Sequence, residues 1–74
     1  MGDPVKVSGV IRRLGIEGGL LTLVTDSGQT VELIDPPESL REGMRVEVRG
    51  SRRGAEMTIG MLGSALVVRS FREI

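Results

Sequence analysis

Two arginine pairs, Arg12-Arg13 and Arg52-Arg53, are the residues of this chain whose type and spacing point most directly to chemistry. A guanidinium presents a planar fork of N–H donors that matches phosphate and carboxylate oxygens, so paired arginines suit the backbone of an anionic chain. Arg49 and Lys6 are further candidates for phosphate contact. The same residues also fit a protective role, in which charges on exposed strand margins deter edge-to-edge aggregation and pair with Glu17, Glu47 and Glu56. Catalysis has less support. Ser8, Ser27, Ser39, Ser51, Ser64 and Ser70 have no histidine to activate them, and the acids are spread over turns and outward strand positions. Gly15 to Gly19 is glycine-rich but fits no phosphate-loop spacing, and Asp26-Ser27-Gly28 offers too few oxygens for calcium. The expectation is a non-enzymatic chain with no catalytic residue, metal or cofactor.

Composition sharpens this. The 74 residues hold ten Lys and Arg against ten Asp and Glu, giving zero formal charge, so a basic site must be local rather than a property of the whole surface. Cys, His, Trp and Tyr are all absent, which removes disulfides, thiolate and imidazole metal ligation and the usual pH switch. A chain of this length supports one domain, residues 1–74. The longest uncharged run, Met57 to Val68, is interrupted by Gly60 and Gly63 and falls short of the ~20 apolar residues of a membrane-spanning helix. Met1-Gly2-Asp3-Pro4 lacks the basic and apolar regions of a secretory signal, so the expected location is cytoplasmic.

The elements that must carry these side chains are strands. β-branched Val, Ile and Thr are frequent, and the 11 glycines fall mostly between apolar runs. Met44-Arg45-Val46-Glu47-Val48-Arg49 alternates strictly, turning Met44, Val46 and Val48 inward. Leu20 to Val24 and Thr30 to Ile34 flank the turn residues Thr25-Asp26-Ser27-Gly28 and predict a hairpin. In the first strand Val5 and Val7 share one parity while Val10, Arg12 and Leu14 share the other, so a glycine bulge is expected at Gly9. The last strand, Ala65 to Phe71, turns Leu66 and Val68 inward, and Phe71 after a change of phase. Asp35 to Gly43 resists the strand pattern; its prolines and Gly43 predict one helical turn between strands 3 and 4, with Leu40 plugging the end of a barrel. The expected core is Val5, Val7, Leu21, Leu23, Val31, Leu33, Val46, Val48, Leu66 and Val68.

This all-β pattern, a five-stranded barrel with a plug between the third and fourth strands, resembles small bacterial OB-fold domains, and in particular an OB-fold family of unknown function. The resemblance is carried by Val7 to Ile11, Thr25-Asp26-Ser27-Gly28, Leu40-Arg41-Glu42-Gly43-Met44-Arg45-Val46, and Met61-Leu62-Gly63 through Phe71. It covers most of the chain. Members often carry cysteines near the positions of Leu20 and Ile59, where this chain has apolar residues suited to a core. OB-folds bind oligonucleotides or oligosaccharides on the face of strands 2 and 3. The resemblance therefore implies a trough over Thr22, Val24, Thr30 and Glu32, with the arginine pairs at its two margins, engaging single-stranded nucleic acid or another anionic oligomer weakly. Weak binding follows because single-strand binders stack bases on aromatic side chains for ~1–3 kcal/mol each, and the one aromatic here, Phe71, is expected in the core.

The segment Gly54 to Gly63 is unusually apolar for a loop. Met57 to Leu62 reads either as a short sixth strand, with Ile59 and Leu62 completing the core, or as an exposed edge. In the second case Met57, Ile59 and Met61 would contact a protein partner or a second copy of the chain by strand addition.

Overall fold

Strict alternation and turn chemistry resolve into five strands in the computed structural model, which describes residues 4–15, 19–53 and 65–74. They are β1 (Pro4–Leu14), β2 (Leu20–Thr25), β3 (Thr30–Ile34), β4 (Arg45–Arg53) and β5 (Ala65–Glu73). They form a single sheet closed on itself in the order β1-β2-β3-β5-β4, with β4 returning to β1. Every neighbouring pair is antiparallel except β3 and β5, which run parallel. Closure removes the free edges that would otherwise template aggregation in so small an all-β protein.

The long first strand makes closure possible, by a route that differs from the expected bulge. Pro4 to Val10 pair with β4 and Gly9 to Leu14 with β2, and neither ladder shifts register at Gly9. Val5, Val7, Gly9 and Ile11 therefore keep one parity, and Ile11, absent from the expected core, is fully buried. The reason is the stagger of the ring. A row of paired residues runs Arg12, Thr22, Glu32, Ala65, Arg53, yet on the β1–β4 side Ser51 already lies opposite Pro4. One circuit thus displaces the register by about ten residues along β1, so an uninterrupted strand changes neighbours without an extra residue.

The register shift falls elsewhere. Arg49 faces Ser70 while Gly50 faces Val68, which leaves Arg69 as an extra residue on β5. That extra residue supplies the change of phase expected in the last strand and brings Phe71 opposite Val48, packed against the core.

The core joins Ile11, Leu23, Val31, Leu33, Leu40, Val46, Val48, Leu66 and Val68. Val5, Val7 and Leu21 are half-buried and pack against it, together with Met44 and Phe71. Leu40 is buried with the core, but not from the expected helical turn. Its amide donates to the Pro37 carbonyl and the Met44 amide to the Arg41 carbonyl, giving two successive reverse turns. Two adjacent prolines, followed by a left-handed Gly43 (φ 93°), leave too few free N–H groups and helical dihedrals for a helix to propagate. The segment is tied to β1 by hydrogen bonds from the Ile11 amide to the Met44 carbonyl and from the Gly43 amide to the Ile11 carbonyl.

The β2–β3 hairpin forms as its turn residues predict. The Gly28 amide donates to the Thr25 carbonyl, and the Thr25 amide to the Gln29 carbonyl. Gly28 itself is left-handed at φ 91°. An added Cβ there meets no atom of the described residues within 4 Å, so Gly28→Ala isolates the backbone penalty. We expect it to cost ~1 kcal/mol, read as a fall in the urea midpoint with an unchanged slope.

Candidate functional site

Because β1 and β4 run antiparallel, Arg12-Arg13 and Arg52-Arg53 lie beyond opposite ends of the ladder that joins them. Arg12, Arg13 and Arg52 are exposed and Arg53 is half-buried. Arg12 and Arg53 also terminate one row across β2, β3 and β5. Directly paired residues share a face, so both begin on the outer side of the sheet. The trough expected between them is closed at its centre. Thr22 is 0% exposed and Glu32 1%, leaving only Val24 and Thr30 half-exposed on that face. The Thr22 hydroxyl is satisfied by the Arg12 carbonyl at 2.9 Å. Among the described residues no buried side-chain nitrogen or oxygen lacks a partner. The middle of this row is a satisfied polar layer rather than an open binding floor.

Cations gather instead on the outer face of β1, β4 and β5. The alternation of β4 turns Arg45, Glu47 and Arg49 outward. Lys6 of β1 lies directly opposite Arg49, and Ser70 of β5 flanks Arg49 on the other side. One step along, Ser8 and Arg72 flank Glu47. Glu47 Oε1 accepts from Arg72 Nη2 at 3.4 Å and lies 3.7 Å from Arg49 Nη2. The Glu47 side chain is only 12% exposed, whereas those of Arg49 and Arg72 are 63% and 70% exposed. These residues, with Ser70 and Phe71, line a depression of about 240 Å³. At the end of the face Arg45 pairs with Asp26 of the hairpin at 3.1 Å, neutralising that cation locally.

Of the expected contact residues, Lys6 and Arg49 are thus brought together, while Arg12-Arg13 and Arg52-Arg53 stay apart from them and from each other. Glu47 joins Arg49, as the expected pairing of strand arginines with this acid requires, and Arg72 and Ser70, which complete the cluster, are not legible as members of it from sequence. The outward alternation of Arg45, Glu47 and Arg49 announces half of the face, but the shifted β4–β5 register that brings in Arg72 and Ser70 has no local signature. The expected edge residues Met57, Ile59 and Met61 lie outside the described residues, as do Leu62, Glu17 and Glu56.

A larger cleft of about 580 Å³ opens where the β2–β3 ladder ends at Thr22 and Glu32. Its floor is apolar, including Leu20, Leu21, Leu33 and Ile34, and its rim sets Arg13 against Asp35 and Glu38. With two acids to one arginine, this rim does not favour an anionic chain. Among the described residues no three His, Cys, Asp or Glu side chains are grouped to hold a metal ion, and no helix is long and apolar enough to cross a membrane. Comparison with known protein families, with curated proteins and with solved structures finds no match.

Proposed function

We propose that the chain is a non-enzymatic binding module with an OB-fold-like barrel, engaging single-stranded nucleic acid or another anionic oligomer weakly. Support for the OB-like reading comes from the strand order, from the parallel β3–β5 pair, and from Leu40 plugging one end between the third and fourth strands. The observation that carries the functional reading is the pair of guanidiniums, Arg49 and Arg72, lining a shallow depression that contains one acid, Glu47, with Lys6 of β1 directly opposite Arg49 in the neighbouring strand. Three cations against one carboxylate leave a local excess of positive charge on a chain that is neutral overall. The contact face is therefore the outer side of β1, β4 and β5, with Arg12, Arg13, Arg52 and Arg53 as outlying contacts, in place of the β2–β3 trough.

Low affinity follows from the same inventory. Each neutralised phosphate of a single strand contributes a slope of about −0.7 to the salt dependence, so two or three contacts give shallow binding that salt removes readily. Phe71 is half-buried against the core and reaches only the wall of the depression, so it offers little of the stacking platform that strengthens other single-strand binders.

Titration of the isotopically labelled chain with a short oligothymidylate at low salt tests this. Amide signals of Lys6, Arg49, Ser70 and Arg72 should shift together, and the shifts should fade as salt is raised. A spectrum unchanged at low salt would refute the proposal.

A further inference from the structure

The arrangement around Glu47 goes one step further than a cationic patch, and the step rests on the binding reading above. A charge-assisted N–H···O bond normally closes to ~2.7–2.9 Å, and an arginine facing a carboxylate normally engages both oxygens. Here two guanidiniums share a single oxygen, Oε1, at 3.4 and 3.7 Å. Each guanidinium has five N–H donors, so most of this donor capacity is left to solvent and to the depression. Glu47 itself is largely sheltered beneath the two exposed arginines. The carboxylate is in effect a resident anion, loosely held where a better one would sit.

The size of the depression limits what that anion is. About 240 Å³ equals the space of roughly eight waters at ~30 Å³ each, and lies below the ~300–1,000 Å³ typical of sites that enclose a whole small molecule. It accommodates one tetrahedral group and the edge of the sugar attached to it, without a base. Ser70, which flanks Arg49 in the ladder and lines the depression, adds a hydroxyl donor. Lys6, on the opposite side of Arg49, adds a third cation along the strand path.

We propose that this depression seats a single phosphodiester group of a nucleic-acid strand between Arg49 and Arg72, with the Ser70 hydroxyl as a further donor. Glu47 is the competing internal anion that holds the affinity down. Removing its charge while keeping its shape therefore strengthens binding, the reverse of what loss of a structural ion pair would do.

The test uses the intact chain, a short oligothymidylate at low salt, and the variants Glu47→Gln, Arg49→Ala and Ser70→Ala, each first shown by circular dichroism to keep its strand signal. Glu47→Gln should bind about tenfold more tightly than the parent and show a steeper salt dependence. Ser70→Ala should bind several-fold more weakly. If Glu47→Gln weakens binding or leaves it unchanged while Arg49→Ala weakens it, Glu47 only positions the arginines. The inference then falls and the binding function stands. If no variant binds the oligonucleotide at low salt, the function reading and the phosphodiester seat fall together.

Discussion

Gly50→Ala is expected to destabilise the protein by about 3 kcal/mol or more. A Cβ at this position would lie 1.8 Å from the Val67 carbonyl oxygen and 2.9 Å from its carbon. These are backbone atoms of the partner strand and cannot swing aside as a side chain would. Gly50 sits beside the register shift at Arg69, where β4 and β5 are drawn together and the ring must curve. For a chain of 74 residues the whole stability is of order 4–11 kcal/mol, at ~0.05–0.15 kcal/mol per residue. The substitution therefore takes a large share, and the urea midpoint followed by far-UV circular dichroism should fall steeply. Gly9→Ala acts by the same mechanism, with its Cβ 2.1 Å from the Val24 carbonyl oxygen, and should also be strongly destabilising. Gly15→Ala is the control, because no atom of the described residues lies within 4 Å of its Cβ, and it should change stability by no more than ~0.5 kcal/mol. A Gly50→Ala protein as stable as this control would mean that β4 and β5 do not approach as closely as described.

The second large effect is functional. Replacing Arg49 and Arg72 together by alanine should lower the affinity for a single-stranded oligonucleotide at low salt by at least tenfold. It should also flatten the slope of log affinity against log salt by about 1.4, two contacts at ~0.7 each. Replacing Arg12 and Arg13, in the part of β1 that pairs with β2, should change either quantity much less. The double variant should remain folded. Both guanidiniums are well over half exposed, so water screens their attraction to Glu47, and each pair contributes less than ~1 kcal/mol. Affinity and stability thus separate in this variant, whereas in Gly50→Ala they fall together. Fluorescence anisotropy with a labelled oligonucleotide measures the first quantity and chemical denaturation the second. Equal losses from the Arg12-Arg13 and Arg49-Arg72 replacements would place the contacts at the margins rather than on the β1–β4–β5 face.

Much of the architecture is legible in local chemistry. The alternation from Met44 to Arg49 assigns β4 and its inner face, and Thr25 to Gly28 assign the hairpin. The spacing from Val68 to Phe71 betrays an extra residue in β5. The apolar Leu40 stands out among the polar and turn-forming residues around it as the plug. Each of these signals depends on a handful of neighbouring residues, because side-chain parity and turn dihedrals are decided within a few bonds of the backbone.

The features that failed to show in the sequence are those that depend on which strands meet and at what offset. Gly9 reads as a bulge when β1 is viewed alone, yet it is an unbroken strand whose glycine is required by the Val24 carbonyl of another strand. Thr22 and Glu32 carry the polarity of an open groove but are buried. Arg49 and Arg72 are separated along the chain, and only the shifted β4–β5 ladder sets them on either side of one carboxylate. Local residue chemistry specifies the five strands of the described residues and which way most of their side chains turn. Ring closure alone decided which charges stand together, because the pairing register is a long-range property that parity within a single strand does not encode.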